Sequence, residues 1–447
     1  MTILDKDKEK ILASALLNLK IEALNEMQQT ALSHSSTDQN IVLLSPTGTG
    51  KTIAFLLPLI NNMNGDSTAV QSLILVPSRE LALQIAGVFT AMNTPWKCCC
   101  CYGGHSMSEE RKVLSTMHPA VVIGTPGRIT DHLSKGTILT DSIEHLVIDE
   151  FDKSLEYGFQ EEMEMIIGQL HHLKKRILAS ATDTEEIPNF VEMSHTVRLD
   201  FLKENTDVVS RIRLMKVLSP EKDKINTLYR LLCHLNNSSS IVFCNHREAV
   251  DRVSNLLREM GFPNERYHGG MEQADRERSL YKFRNGSAFV LISTDLASRG
   301  LDIPDVAHII HYHLPVNEEA FTHRNGRTAR WNTTGESFLI LNEAEVQPDY
   351  LDKELPVYEL DEQTPVPPKA IWSTLYIGKG KKDKISKGDV AGFLYKKGQM
   401  QSKDIGSIDV KEHCTYVSVR QSRVKHLIQL VQGEKIKGIK TIIEESK

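Results

Sequence analysis

Short, unbroken apolar runs recur through most of the chain, and each opens into a stretch with helical spacing. The runs Ile41-Val-Leu-Leu44, Leu73-Ile-Leu-Val76, Val121-Val-Ile123 and Ile177-Leu-Ala179 show no polar alternation. A strand with one wet face alternates; a strand buried on both faces does not, so these read as interior strands of a parallel sheet. Residues 1–40 read as helical, with Ile11, Leu12, Leu16, Leu17 and Leu19 as the apolar positions, and residues 53–60 read as a further helix. Strand and helix alternate to about residue 200, which predicts a parallel sheet covered by helices on both faces.

The pattern then restarts. After a polar connection near residues 201–210, a second α/β unit carries the runs Ile241-Val-Phe-Cys244, Phe289-Val-Leu-Ile292 and His308-Ile-Ile-His311. Residues 344–370 are acidic and hold Pro348, Pro356, Pro365, Pro367 and Pro368, so they read as a linker. The last stretch reads strand (374–377), helix (387–395, capped by Ser386), strand (405–410), strand (415–419), helix (424–430), strand (439–443). The order βαββαβ is that of RNA-recognition sheets, in which strand aromatics stack bases. Tyr376 and Tyr416 are the strand aromatics here, and they read equally as half-buried packing residues. The expected domains are therefore 1–205, 206–343, a linker over 344–370, and 371–447.

Charge sharpens the picture of the tail. The chain of 447 residues carries 53 Lys and Arg against 58 Asp and Glu, net −5. Residues 371–447 hold 16 against 8, so the tail is net +8 and the rest −13. A basic tail on an acidic body points to a polyanion as its partner. No run of eighteen or so apolar residues suggests a membrane span, and the charged N-terminus lacks the apolar core of a signal peptide. A cytoplasmic location is the expectation. Four of the 7 cysteines are consecutive, Cys98 to Cys101. Neighbours on a strand face opposite ways, so this run does not close round one zinc as spaced pairs do.

The chemistry begins after the first run. Ser45-Pro-Thr-Gly-Thr-Gly-Lys-Thr52 lies between strand and helix, as a phosphate cradle does. Gly48 and Gly50 let backbone N–H groups approach phosphate oxygens, helped by the helix N-terminus. Lys51 can reach the β- and γ-phosphates, and the Thr52 hydroxyl can join the shell of a Mg²⁺ ion. Ser45 stands where the usual motif has its first Gly. Glu144-His-Leu-Val-Ile-Asp-Glu150 ends a strand in two carboxylates. Asp149 is placed to hold Mg²⁺ and Glu150 to orient and deprotonate a water. Gln28 has an amide that can read an adenine edge, although alone it reads as a surface Gln.

Pro77-Ser-Arg79 and Thr125-Pro-Gly-Arg128 each place hydroxyls, a helix N-terminus and one Arg at a strand end, where phosphate binding is cheap. The second unit has no phosphate loop, but has Thr294-Asp-Leu-Ala-Ser-Arg-Gly-Leu-Asp302 and His323-Arg-Asn-Gly-Arg-Thr-Ala-Arg330. Arg327 and Arg330 lie three apart and would share a helix face, as arginine fingers across a cleft. His311 and His313 alternate on a strand; with no third ligand nearby, they read as strand-end packing.

Together these motifs resemble the DEAD-box RNA helicases. In the first unit the resemblance rests on Gln28, Ser45 to Thr52, Pro77 to Ala82, Gly103-Gly104, Thr125 to Arg128, Asp149-Glu-Phe-Asp152 and Ser180-Ala-Thr182. In the second it rests on His268 to Gln273 with Arg276, Thr294 to Asp302 and His323 to Arg330. The tail resembles the RNA-binding domain of DbpA-type bacterial members. The resemblance implies two tandem RecA-like domains and an RRM-like third, ATP and Mg²⁺ as ligands, and a monomer that remodels structured RNA. Ribosome assembly is suggested through the tail alone.

It also implies roles. Gln28 would read adenine. Ser45, Thr47, Gly48, Thr49, Gly50, Lys51 and Thr52 would hold the phosphates, with Asp149 and Glu150 serving metal and water. Asp152 would couple through Ser180 and Thr182 to His323. Asp302 would touch the ribose, and Arg327 and Arg330 the γ-phosphate. Arg79, Gly104, Thr125, Arg128, Gln273, Arg276 and Thr294 would line the RNA path. Departures from the pattern are Phe151 for Ala, Ile11 for an aromatic, Gly270 for Asp, and Asn325 and Ala329 for Ile and Gly. Two rival readings are a non-catalytic RNA-binding scaffold and a DNA helicase or translocase of the same superfamily. Intact Lys51, Glu150 and Arg330 speak against the first, and Gln28 and the tail against the second.

Overall fold

The computed structural model describes residues 3–446 except 47, 65–68, 105, 184–186, 203–210, 299–305, 330–333, 352–353 and 362. The chain divides after residue 210 into two units.

In the first, β1 (Asn40–Leu44), β2 (Ser72–Leu75), β3 (Cys98–Cys101), β4 (Val121–Gly124), β5 (His145–Asp149), β6 (Lys175–Ser180) and β7 (Thr196–Asp200) form one parallel sheet, ordered β3-β4-β2-β5-β6-β1-β7. Its helices are α1 (Ile3–Asn18), α2 (Glu26–Ser33), α3 (Lys51–Asn62), α4 (Arg79–Ala91), α5 (Met107–Met117), α6 (Pro126–Ser134), α7 (Phe151–Glu156) and α8 (Gln160–Ile167). Alternate strand residues enter two cores. Ile41 and Leu43 join Phe55 and Ile85 on one side, while Val42 and Leu44 join Leu146 and Met163 on the other. Both faces are dry, which is why the interior strands are apolar without alternation. Phe151 fits this packing, buried in the second core. Ile11 packs on the first core.

The second unit opens with β8 (Ile212–Ser219), β9 (Ser240–Phe243), β10 (Glu265–Tyr267), β11 (Val290–Ser293), β12 (His308–His311) and β13 (Gly335–Asn342). They form a parallel sheet ordered β10-β11-β9-β12-β13-β8. Helices α9 (Ile225–Leu235), α10 (Arg247–Glu259), α11 (Gln273–Arg284) and α12 (Glu318–Asn325) accompany it.

The tail follows with β14 (Trp372–Ile377), α13 (Lys387–Lys396), β15 (Ile405–Val410), β16 (Thr415–Arg420), α14 (Val424–Val431), β17 (Lys435–Ile436), β18 (Ile439–Lys440) and β19 (Ile443–Glu445). Its antiparallel sheet runs β15-β16-β14-β19. Ser386 caps α13 in a reciprocal capping box with Asp389. The single last strand expected over 439–443 is two elements instead. Lys437 and Gly438 both have positive φ, 51° and 80°, and fold β17 and β18 into a tight hairpin, so only β19 joins the sheet.

The stretch 344–370 has no helix or sheet strand among its described residues, but it is a strap against the second parallel sheet. Leu351 and Leu355 share a core with Leu339 and Leu341. Tyr358 N–H donates to Lys216 O at 2.8 Å, and Lys216 N–H donates to Pro356 O at 2.9 Å. No helix among the described residues is long and apolar enough to cross a membrane.

Candidate active site

The phosphate loop is held from two directions. Gly50 takes φ +94° at the start of α3, a conformation open to glycine. Lys51 Nζ donates to the carbonyls of Ser45 at 2.5 Å and Pro46 at 2.9 Å. The Ser45 and Thr49 hydroxyls are 2.7 Å apart, so the Ser that replaces the usual Gly closes the loop with a side-chain bond. Thr47 lies outside the described residues; Gly48 has φ +83° and Thr52 sits in the first turn of α3.

Gln28 belongs to this loop. Its Oε1 accepts from Asn25 N–H at 3.1 Å and its Nε2 donates to Gly50 O at 3.4 Å. A Cβ on Gly50 would stand 2.5 Å from Gln28 Nε2, so only glycine lets the amide lie there. Asn25 Nδ2 donates to Thr49 O at 3.0 Å. Asn25 thus both caps α2 and ties it to the loop; its sequence signal was the Asn-x-x-Gln capping box, and sequence reasoning missed it.

The acidic pair ends β5. Sheet order β5-β6-β1 brings the carboxyl ends carrying Asp149, Ser180 and the phosphate loop side by side. Asp149 is 4 % exposed. Burial pushes its carboxyl up to about 6, opposed by the Lys51 charge and the Glu150 N–H. Glu150 N–H donates to Asp149 Oδ1 at 2.9 Å. Glu150 itself holds φ 50° and ψ 52°, a left-handed conformation that is costly for a residue with a side chain. The sharp turn lifts Glu150 off the strand direction and starts α7 at Phe151.

Asp152 meets its expected neighbours. Thr182 Oγ1 donates to Asp152 Oδ2 at 2.9 Å, and Ser180 Oγ donates to Thr182 O at 2.7 Å. The Arg79 and Gly104 positions also come together: a Cβ on Gly104, at φ +98°, would meet Arg79 Nη1 at 2.9 Å. Thr125 caps α6, its N–H donating to Cys101 O at 3.1 Å, and Arg128 Nη1 lies 3.6 Å from Glu110 Oε2. These residues follow β2, β3 and β4, adjacent strands of one sheet.

In the second unit, Gln273 and Arg276 occupy the first turn of α11, where Gln273 Nε2 donates to Glu277 Oε1 at 2.9 Å and Arg276 is buried. Thr294 follows β11. His323 is buried, with Nδ1 3.9 Å from Glu319 Oε1. The helical-face argument for the two arginines fails: α12 ends at Asn325 with Gly326 as its cap, so Arg327 lies past the helix. Asp302 and Arg330 lie outside the described residues.

Arg324, which sequence reasoning passed over, is fully buried and holds this region together. It donates to Asp295 Oδ1 at 2.5 Å, His313 O at 2.8 Å and Asn245 Oδ1 at 2.8 Å. Nothing in the spacing marks that pairing. Asn325, an expected departure, accepts from Ser337 Oγ at 2.7 Å and faces His311 Nε2. Ala329 has φ 55°, the region its usual glycine adopts freely. His311 packs between Phe243 and Phe321, while His313 Nδ1 accepts from Asn245 N–H, so the two serve packing and turn roles.

Tyr376 is partly exposed, but Tyr416 is 5 % exposed and covered by Tyr281 of α11. In this arrangement its ring has no open face for a base.

Comparison with known proteins agrees with this geometry. Residues 25–190 match the DEAD/DEAH box helicase family, 223–332 the helicase conserved C-terminal domain, and 374–445 the DbpA RNA binding domain. The chain is 34 % identical to the ATP-dependent RNA helicase DbpA of Escherichia coli K12 over 429 residues, covering 93 % of each. It is 30 % identical to DbpA of Bacillus subtilis 168, covering 95 % of each. Among solved structures it resembles the DEAD-box helicase Mss116 bound to single-stranded RNA and UDP-BeF. That match has TM-score 0.68 and 26 % identity, over 77 % of this chain and 76 % of that one. This chain belongs to the DEAD-box ATP-dependent RNA helicases and carries a DbpA-type RNA-binding domain.

Proposed function

We propose that the loop ending in Lys51 and Thr52 binds ATP phosphates and that Glu150 takes the proton from the attacking water. RNA held by the body and the tail would control that step. The observation that carries this reading is the convergence of Gln28, Lys51, Asp149 and Glu150 at neighbouring strand ends. Gln28, on the loop at Gly50, has the donor and acceptor that an adenine edge needs once it turns from Asn25 and Gly50. Lys51 would exchange the Ser45 and Pro46 carbonyls for phosphate oxygens. Glu150, raised off β5 by its left-handed turn, would orient and deprotonate water.

Thr52 and Asp149 would hold Mg²⁺. Their fit is supported by the donor set: a carboxylate 4 % exposed at the end of β5 and a hydroxyl in the first turn of α3, both oxygen donors at the carboxyl edge of one sheet, as a hard cation requires. When bound, the ion supplies charge stabilisation for the phosphates. Arg327, Arg330, Asp302 and His323 are proposed to complete the site from the second unit on closure, with Asp152, Ser180 and Thr182 relaying its state. Arg79, Gly104, Thr125, Arg128, Gln273, Arg276 and Thr294 are the proposed RNA path. Closing on a bent single strand would break a short duplex locally, and hydrolysis would release it.

The tail, net +8, is proposed to select structured ribosomal RNA in a cytoplasmic, monomeric helicase acting in ribosome assembly. ATP turnover measured with no nucleic acid, with RNA and with DNA tests the central reading. Stimulation by RNA alone supports it. Equal stimulation by DNA would favour a translocase, and no turnover at all a scaffold.

A further inference from the structure

The four consecutive cysteines divide between two faces of β3. Cys98 and Cys100 pack on the core of Ile85 and Phe89, while Cys99 and Cys101 enter the opposite core with Leu114, Ile129 and Leu133. Two helices lie over the second face. From α5 comes Glu110, and from α6 comes His132. The Cys101 thiol, a Glu110 carboxylate oxygen and a His132 ring nitrogen all lie within 4.8 Å of one another, and all three residues are buried. His132 Nε2 stands 2.8 Å from Glu110 Oε2, and its enclosed Nδ1 has no hydrogen-bond partner among the described residues. The Cys99 thiol, on the same face of β3 as Cys101, donates to Cys100 O at 3.7 Å. No other such group of three occurs among the described residues.

We propose that Cys99, Cys101, Glu110 and His132 form a binding site for a thiophilic divalent cation, Zn²⁺. The cysteine run alone does not surround a metal, because only alternate thiols share a face. The fold supplies the missing donors from two helices. Two thiolates, an imidazole and a carboxylate suit a four-coordinate zinc, with ligand distances of about 2.0–2.3 Å. A tetrahedron of that size has donors roughly 3.3–3.8 Å apart, so Cys101, Glu110 and His132 approach by up to about 1 Å, and the Cys99 thiol turns from Cys100 O to join them.

Charge also balances. Two thiolates and a carboxylate around Zn²⁺ leave one negative charge in a dry site. The guanidinium of Arg128, 3.6 Å from Glu110 Oε2, stands beside it to offset that charge. Glu110 Oε1 stays on Tyr102 N–H at 3.3 Å, so Oε2 is the oxygen for the cation. The occupied site would pin the edge strand β3 to α5 and α6. It would also fix Glu110 against Arg128, a residue of the proposed RNA path.

Cobalt titration of the full, reduced chain tests this. One Co²⁺ per chain is expected to give a sulfur-to-cobalt charge-transfer band and the strong visible bands of a tetrahedral ion, both removed by Zn²⁺. An all-oxygen magnesium site gives no sulfur band. The double variant Cys98→Ser, Cys100→Ser, altered on the opposite face, should keep the signal. Cys99→Ser or Cys101→Ser should weaken Zn²⁺ binding about tenfold or more. Where a variant does not fold, X-ray absorption of the zinc-loaded parent decides: two sulfur and two lighter ligands are expected. Absence of the sulfur band in folded parent, its loss in the opposite-face variant, or a four-sulfur or sulfur-free shell would overturn the proposal.

Discussion

Tyr281 and Tyr416 stack with ring centroids 5.2 Å apart and planes at 29°, joining the second parallel-sheet domain to the RNA-binding domain. The Tyr281 hydroxyl donates to the carbonyls of Ser407 at 2.8 Å and Tyr416 at 3.0 Å. Asn285 Nδ2 donates to Thr374 Oγ1 at 2.9 Å beside them. One helix thus carries Gln273 and Arg276 in its first turn and the dock for the tail's sheet at its other end. The tail is seated on the body, and its RNA surface must include more than the covered sheet face.

Tyr281→Ala should undock the tail. Losing the ring pair and its hydrogen bonds costs roughly 2–3 kcal/mol of docking free energy. Limited proteolysis between the strap and β14 should become faster in the variant. An unchanged cleavage rate would mean that the stacking contributes little to the seating.

The strap sets where the tail can be removed. A chain ending at residue 343 loses Leu351 and Leu355 from the core of Leu339 and Leu341, whereas one ending near residue 364 keeps them. The longer form should melt higher and retain ATP turnover with generic single-stranded RNA. Both should bind the natural RNA more weakly and with a smaller salt dependence than the full chain. Equal melting temperatures would show that the strap adds no stability.

His311 should make stability pH-dependent. Burial, then the Arg324 charge, lowers its pKa to about 3 from the ordinary 6.5. Between those values the unfolded chain binds a proton that the folded chain refuses, so stability falls as pH drops below about 6.5. Denaturant unfolding at about pH 7 and about pH 5 should show His311→Asn losing less stability than the parent, by up to roughly 2 kcal/mol. Equal losses would place the acid sensitivity in other groups.

Much of this was legible before any coordinates. Strands β1, β2, β4, β5, β6, β9, β11 and β12 stand out because residues buried on both faces leave unbroken apolar runs. The strands β7, β8 and β10 do not, whereas β13 carries the run Phe338-Leu-Ile-Leu341, which sequence reasoning passed over. Arg198 of β7 and Arg213 of β8 are solvent-exposed charges that interrupt the apolar signal. The phosphate loop and Asp149-Glu150 are legible because local spacing carries their chemistry. Arg324 with Asp295, Asn25 with Thr49, and Tyr281 with Tyr416 are tertiary pairings that no local spacing encodes. The end of α12 before Arg327 is different: Gly326 is a local stop signal, and sequence reasoning passed over it.

Lys51→Ala removes an ammonium that bonds two loop carbonyls and, in the proposed mechanism, phosphate oxygens. Loss of a charge-assisted hydrogen bond costs about 1.5–3 kcal/mol, so ATP affinity should fall about tenfold or more and turnover should stop. Equilibrium nucleotide binding checks this; unchanged affinity with unchanged rate would mean that the loop does not cradle phosphate.

The most direct measurement is RNA-stimulated ATP turnover by Glu150→Gln beside the parent. Gln keeps the shape of the side chain on its left-handed turn and loses the base. Turnover should drop by about 10²-fold or more while ATP binding persists, and the variant should stay on RNA when ATP is present. Turnover within about threefold of the parent would contradict the assignment of Glu150 as the base.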